Sequence, residues 1–336
     1  MEQPMVYAHK PLDQQVIVIT GASSGIGLAT ARRAARSGAR VVMGARNAEA
    51  LAMIQDEIGH DGGQAAHAVG DVGRREDVQA LADTAMQRFG RIDSWVNDAG
   101  ISIFGRLEEV SDADSDRLFR TNFWGTVYGS LVALPYLRQQ GGALINVGSI
   151  ASDMVIPLQA MYSASKHAVR GFTDGLRAEL DMEGAPVSVT LIKPGSIDTP
   201  LTHHARNYMD REPQLPPPVY HPDEVARAIL HAAVHPQREI YVGGGGRAMT
   251  GLKKVAPRAF ERLGAVMSQA QRGAEPPRDP RGSLHEPGID GQVQGGHPGY
   301  VRRTSTYTRA QLHPLTTGAV MAGVGLAAAA LMKRRA

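Results

Sequence analysis

Between residues 16 and 242 short runs of consecutive apolar residues alternate with longer stretches in which apolar positions recur every three or four residues. The first pattern is that of a strand buried on both faces, the second that of an amphipathic helix. Strands are predicted over 16–20, 40–44, 64–69, 92–97, 143–148, 187–192 and 239–242, with helices over 25–37, 48–59, 74–89, 114–138, 160–183 and 223–234 between them. Strand and helix taking turns in this way predict an α/β domain over residues 11–246, doubly wound around a parallel seven-stranded sheet.

The pattern changes after residue 246. A basic amphipathic stretch over 247–272 predicts a helical extension broken at Pro257. Residues 273–313 are rich in Gly, Pro, Arg and polar residues and poor in bulky apolar ones, which reads as a flexible, disordered linker. The segment 314–336 contains Leu315 to Met332, eighteen residues without a charge. As a helix that run reaches about 27 Å at 1.5 Å per residue, the lower limit for crossing a bilayer. It is expected either to associate with a membrane or to dock as a helix on a protein surface, and the basic residues on both sides do not orient it.

Composition narrows the functions open to the chain. With 43% apolar residues in 336 there is enough for a sizeable core. Thirty-six basic against 33 acidic side chains leave a net charge of +3, too even a balance to point to nucleic acid. Cysteine is absent, which excludes disulfides and thiolate metal sites. Met1 to Lys10 lacks the apolar core of a cleaved leader, so the catalytic domain is expected in the cytoplasm.

Chemistry concentrates in two clusters. Thr20, Gly21, Ala22, Ser23, Ser24, Gly25, Ile26 and Gly27 lie between a predicted strand and a predicted helix, the context of a Rossmann-type dinucleotide turn. Gly21 would permit the tight turn, and Gly25 and Gly27 would let backbone approach a pyrophosphate held by N–H groups of Ser23, Ser24 and Ile26 at the helix start. The second strand ends in Gly44, Ala45 and Arg46, with no carboxylate to bind a ribose 2′-OH and a guanidinium able to hold a 2′-phosphate. NADP is therefore expected over NAD. Asp71 and Val72 follow the third strand, where they would meet the adenine, with capping of the next helix as the other role open to Asp71.

The second cluster is Tyr162 and Lys166, one helical turn apart, preceded by Ser149. A lysine on the same helix face would lower the phenol pKa from about 10 and ready it for proton transfer. Together the clusters predict nicotinamide hydride transfer coupled to proton transfer at a carbonyl or alcohol.

These motifs, with Asn122 in the long helix and Pro194-Gly195 followed by Thr199, resemble the short-chain dehydrogenase/reductase family over most of residues 13–245. The resemblance implies that Tyr162 exchanges a proton with the substrate oxygen, Ser149 positions that oxygen, Lys166 binds the nicotinamide ribose, and Asn122 holds a relay water. It implies packing of Asn97, Ala99 and Gly100 beside the cofactor, and contacts from Pro194, Gly195, Ile197 and Thr199 to the nicotinamide. Asp98 stands where the family usually has asparagine. Pairing into a homodimer or homotetramer is likewise implied. The loop 196–221 is expected over the substrate, and it lacks a cluster of like charge, which suits a neutral ketone, aldehyde or secondary alcohol. His203 and His204 have no carboxylate at ligand spacing, and no metal is expected. The competing reading is a regulatory or scaffold protein that binds NADP without turnover and is tethered by its tail.

Overall fold

A computed structural model describes residues 9–314, 317 and 318 of the chain. Seven strands form one parallel sheet: β1 (Val16–Thr20), β2 (Arg40–Ala45), β3 (Gln64–Val69), β4 (Ser94–Asn97), β5 (Gly142–Val147), β6 (Val187–Pro194) and β7 (Glu239–Val242). Their order across the sheet is β7-β6-β5-β4-β1-β2-β3, so the winding reverses between β1 and β4. Thr20 is level with both Gly44 and Asn97, which brings the loops after β1, β2 and β4 to one edge of the sheet. A crevice opens at such a reversal, beyond the carboxyl ends of the strands.

Alternate residues of β1 explain its unbroken apolar run. Ile17 and Ile19 belong to a core with Leu28, Ala31, Val225 and Ile229, from the packed helices Gly25–Arg36 and Pro222–Val234. Val16 and Val18 point the other way, into a core with Leu81, Ala85, Leu134 and Leu137. Both faces are dry, so no polar position interrupts the strand.

The predicted helix over 114–138 is instead helix Asp112–Phe119, a π turn Arg120–Trp124 and helix Gly125–Gln140. A π turn inserts an extra residue without ending the helix, which is why the apolar pattern alone reads straight through it. Asn122 lies in this turn.

The larger correction concerns residues 273–313. Helices Gly244–Val255, Pro257–Arg262 and Gly264–Gln269 follow β7, the second starting at Pro257. Beyond them the expected disordered linker is packed chain. Val301–Arg302 pairs with Val219–Tyr220, which pairs with Ser196–Ile197 just after β6. Helix Thr306–Leu312 covers the edge strand β7: Gln311 accepts from the Tyr241 N–H at 3.2 Å and donates to the Glu239 carbonyl at 2.7 Å. An edge strand left bare would invite pairing with other chains. The apolar tail lies almost wholly outside the described residues, among which no helix is long and apolar enough to cross a membrane.

Candidate active site

The turn after β1 is shaped by close approach. Gly21 adopts φ +71°, a conformation only glycine takes without strain, and a Cβ there would lie 2.7 Å from the Ala99 Cα. At Gly27 a Cβ would come within 2.2 Å of the Gly21 carbonyl oxygen, so the helix start sits directly on the turn. Thr20 ties the turn to the loop after β4, its hydroxyl accepting the N–H groups of Asp98 (3.1 Å) and Ala99 (3.2 Å). Gly21, Ser23, Ser24, Gly25 and Ile26 face one cleft with Ala99 and Gly100 across from them.

Of the residues expected beside the dinucleotide, Gly27 and Asn97 do not face that cleft. Gly27 lies beneath the turn. Asn97 is buried in a polar network, accepting from the Trp95 indole at 2.8 Å and donating to Asn146 at 2.9 Å and Ser130 at 3.1 Å. Its amide therefore holds β4 against β5 and helix Gly125–Gln140.

At the end of β2 the cleft is lined by Ala45, Arg46, Asp71 and Val72. Asp71 accepts the Gly73 N–H at 2.9 Å and pairs with Arg117 at 2.7 Å. Burial would raise its carboxyl, but Arg117 and the Gly73 N–H hold it below the usual carboxylate range. Arg46 donates to the carbonyls of Ser283 (2.6 Å), His285 (3.3 Å) and Leu284 (3.4 Å). Burial and the neighbouring Arg117 lower its pKa.

Tyr162 and Lys166 sit on the buried face of helix Ala160–Glu183, with Ser149 at the end of β5 opposite them. The Tyr162 phenol is hydrogen-bonded to Ser149, and burial pushes its pKa up to about 12. The phenol pKa therefore lies above its ordinary value, not below it as the Tyr-Lys spacing leads one to expect, because desolvation of the phenolate outweighs the Ser149 hydrogen bond and the nearby Asp98 adds to the rise. Lys166 Nζ donates to the Val147 carbonyl at 2.9 Å and stands 5.9 Å from the Tyr162 ring centre. Burial brings its own pKa down to about 8. Asn122 spends its carboxamide on Ile101, accepting the N–H at 2.9 Å and donating to the carbonyl at 3.0 Å, and on the Ser165 hydroxyl at 3.1 Å. It locks the loop after Gly100 to the catalytic helix and does not itself line the cleft.

Asp98 is the titratable group that the sequence left without a role. Burial raises its carboxyl to about 7, against the pull of Lys166 and of the Gly27 N–H. An acid whose folded pKa exceeds its unfolded one contributes full stability below the unfolded value and loses it as pH rises through the folded one. Replacing Asp98 with Asn is therefore expected to gain up to about 4 kcal/mol relative to the parent near pH 8 and little near pH 4. Thermal unfolding at both pH values measures this, and equal gains would refute it.

At the end of β6 and just beyond it, Pro194, Gly195, Ile197 and Thr199 line the far end of the cleft, beside Leu201, His204 and Leu215. Four further lining residues, Ser283, Pro287, Gly288 and Asp290, come from the segment read as a linker. Its isolated apolar residues were the available signal: Leu284 is fully buried in a cluster with Ile101, Ile103, Leu118 and Tyr162. Among the described residues no group of histidines and carboxylates is placed to hold a metal.

The profile of the short chain dehydrogenase family matches residues 15–210, which carry the glycine turn, Ser149, Tyr162 and Lys166. The chain belongs to that family. It is 46% identical to the uncharacterized oxidoreductase YxnA of Bacillus subtilis over 96% of this chain and 92% of that one. It is 34% identical to 11-beta-hydroxysteroid dehydrogenase A of Sesamum indicum over 79% and 78% of the two chains. Among solved structures it resembles a short chain dehydrogenase/reductase from Burkholderia phymatum in complex with NAD, with TM-score 0.67 and 27% identity over 81% of this chain and 99% of that one. An alcohol dehydrogenase from Thermococcus sibiricus complexed with 5-hydroxy-NADP gives TM-score 0.60 and 29% identity over 68% and 95%. As a short-chain dehydrogenase the chain is an NAD(P)-dependent oxidoreductase, and its glycine turn, where backbone approach leaves no room for a Cβ, fits a dinucleotide.

Proposed function

We propose that this dehydrogenase uses NADP(H) to interconvert a neutral ketone or aldehyde and the corresponding alcohol. The observation that carries this is the convergence of Ser149, Tyr162 and Lys166 on the cleft that the glycine turn opens. The nicotinamide, when bound, supplies or accepts the hydride. Tyr162, held protonated by burial, donates its proton to the carbonyl oxygen, and Ser149 fixes that oxygen by a hydrogen bond. Lys166 binds the ribose hydroxyls and stabilises the phenolate once the proton has gone. Asn122 keeps the helix and the Ile101 loop in register, and a water beside it returns the proton. Because the phenol starts protonated, reduction should be steady near neutral pH, whereas alcohol oxidation, which needs the phenolate, should rise with pH.

NADP is favoured by Ala45 and Arg46 at the end of β2, where a carboxylate would repel a 2′-phosphate. A guanidinium has five N–H donors, so contacts to the carbonyls of 283–285 leave capacity for a phosphate. Arg46→Ala should weaken both cofactors by loosening that segment, with an extra loss of about tenfold for NADPH alone. Fluorescence titration with NADPH and NADH measures the difference, and equal losses would remove the phosphate contact.

Incubation with NADPH and a panel of ketones and aldehydes tests the activity. Tight NADPH binding without turnover across the panel would favour the scaffold reading instead. A homodimer is part of the proposal: Trp124 is 44% and Leu131 37% exposed on the outer face of the long helices, where a second copy would cover them.

A further inference from the structure

Residues 283–295 cross the open side of the cleft and are fixed at three places along its length. At the end of β2, besides the Arg46 contacts, Arg117 donates to the Leu284 carbonyl at 2.9 Å and Asn47 to the Gly288 carbonyl at 3.2 Å. Above the phosphate turn the Gly291 N–H donates to the Ser23 carbonyl at 2.8 Å, and the Gly25 N–H donates to the Gln292 carbonyl at 2.9 Å. Beyond β6 the buried Asp198 carboxylate accepts from the Gln294 amide at 2.9 Å, the His297 N–H at 3.0 Å and the Gly295 N–H at 3.2 Å.

The fit is close at two glycines. A Cβ on Gly295 would stand 2.3 Å from the Thr199 carbonyl oxygen, and one on Gly282 would stand 2.4 Å from that of Ala205. Leu284 plugs the apolar cluster around Tyr162.

We propose that residues 283–295 form a strap that closes over the bound dinucleotide, and that detachment of this strap limits cofactor exchange. The three anchors match the three parts of a dinucleotide: adenosine, pyrophosphate and nicotinamide riboside. A molecule lying between the turn and the strap leaves by the open side only after these anchors part. Each anchor is one to three hydrogen bonds, individually modest, so the strap opens as a segment while the sheet stays folded. The proposal rests on the dinucleotide reading of the cleft and not on the substrate class or on NADP preference.

The test is a stopped-flow chase of bound NADPH, or of NADH, by excess oxidised cofactor in the full-length protein. Gly295→Val pushes the strap off Thr199, and Asp198→Ala removes the acceptor of the last anchor. Both variants are expected to release cofactor about tenfold faster or more, each tenfold corresponding to about 1.4 kcal/mol of anchoring. Amide hydrogen exchange on the parent protein needs no substitution: Gly291 and Gly295 should exchange at least about tenfold more slowly with cofactor bound. An unchanged release rate in a variant whose strap amides exchange faster overturns the proposal. So does strap exchange in the parent that is unaffected or accelerated by cofactor, which would make the segment a competitor for the cleft. Binding of neither dinucleotide would overturn the reading of the cleft itself.

Discussion

Tyr162→Phe is expected to lower kcat by about 10²–10⁴-fold while cofactor affinity stays within about twofold. The substitution removes one oxygen and keeps the ring in its cluster with Ile101, Ala151 and Leu284, so packing is preserved. Ser149 loses its phenol partner but still accepts the Ala151 N–H at 3.1 Å, which leaves its rotamer in place. Lys166 keeps its bond to the Val147 carbonyl and with it the ribose site. What disappears is the proton donor alone, and water entering the vacated space is a poor replacement in a site this buried. Steady-state kinetics with the best substrate of the panel, beside a cofactor titration, separate the two effects. A fall in kcat smaller than about tenfold would take Tyr162 out of the proton transfer.

The second large effect is expected in stability. Lys193, the residue before the Pro194-Gly195 turn, is fully buried and pairs with Glu239 at 2.8 Å and Asp153 at 3.1 Å. Burial would raise the Asp153 carboxyl, but the Tyr241 hydroxyl at 2.7 Å and Lys193 hold it below the usual range. Lys193→Met leaves Asp153 with Arg170 and Tyr241 and strips Glu239 of its cation. Removing one partner of a buried pair costs about 3–5 kcal/mol, because the remaining charge has been taken from water without compensation. Urea unfolding measures the loss, and adding Glu239→Gln should recover part of it by double-mutant coupling. A loss under about 1 kcal/mol would mean that Arg170 carries the cluster unaided.

What the sequence discloses and what it hides divide along physical lines. β1 is legible because a strand buried on both faces reads as an unbroken apolar run, and the glycine turn is legible because its glycines answer to contacts within a few residues. The π turn at Asn122 is hidden, since one extra residue barely disturbs an apolar stripe. The phenol pKa is misread for another reason: a four-residue spacing reports that Lys166 and Tyr162 share a face, but not how completely water has been removed around them. The segment 283–295 fails most instructively. Glycine and proline in sequence read as marks of a chain unable to build a core, whereas Gly282 and Gly295 are small because other backbones pass within 2.4 Å of where their side chains would be. That reason lies in Thr199 and Ala205, far away along the chain, and only the folded chain supplies it.

Leu284 closes the apolar wall behind the catalytic phenol from a position well outside the matched span 15–210. A shortened version cut just after β7 would keep the whole sheet and every motif and still be a different catalyst. Its proton donor would lose part of its apolar cover, its acidity would shift toward that of free tyrosine, and rates measured on it would describe the truncation.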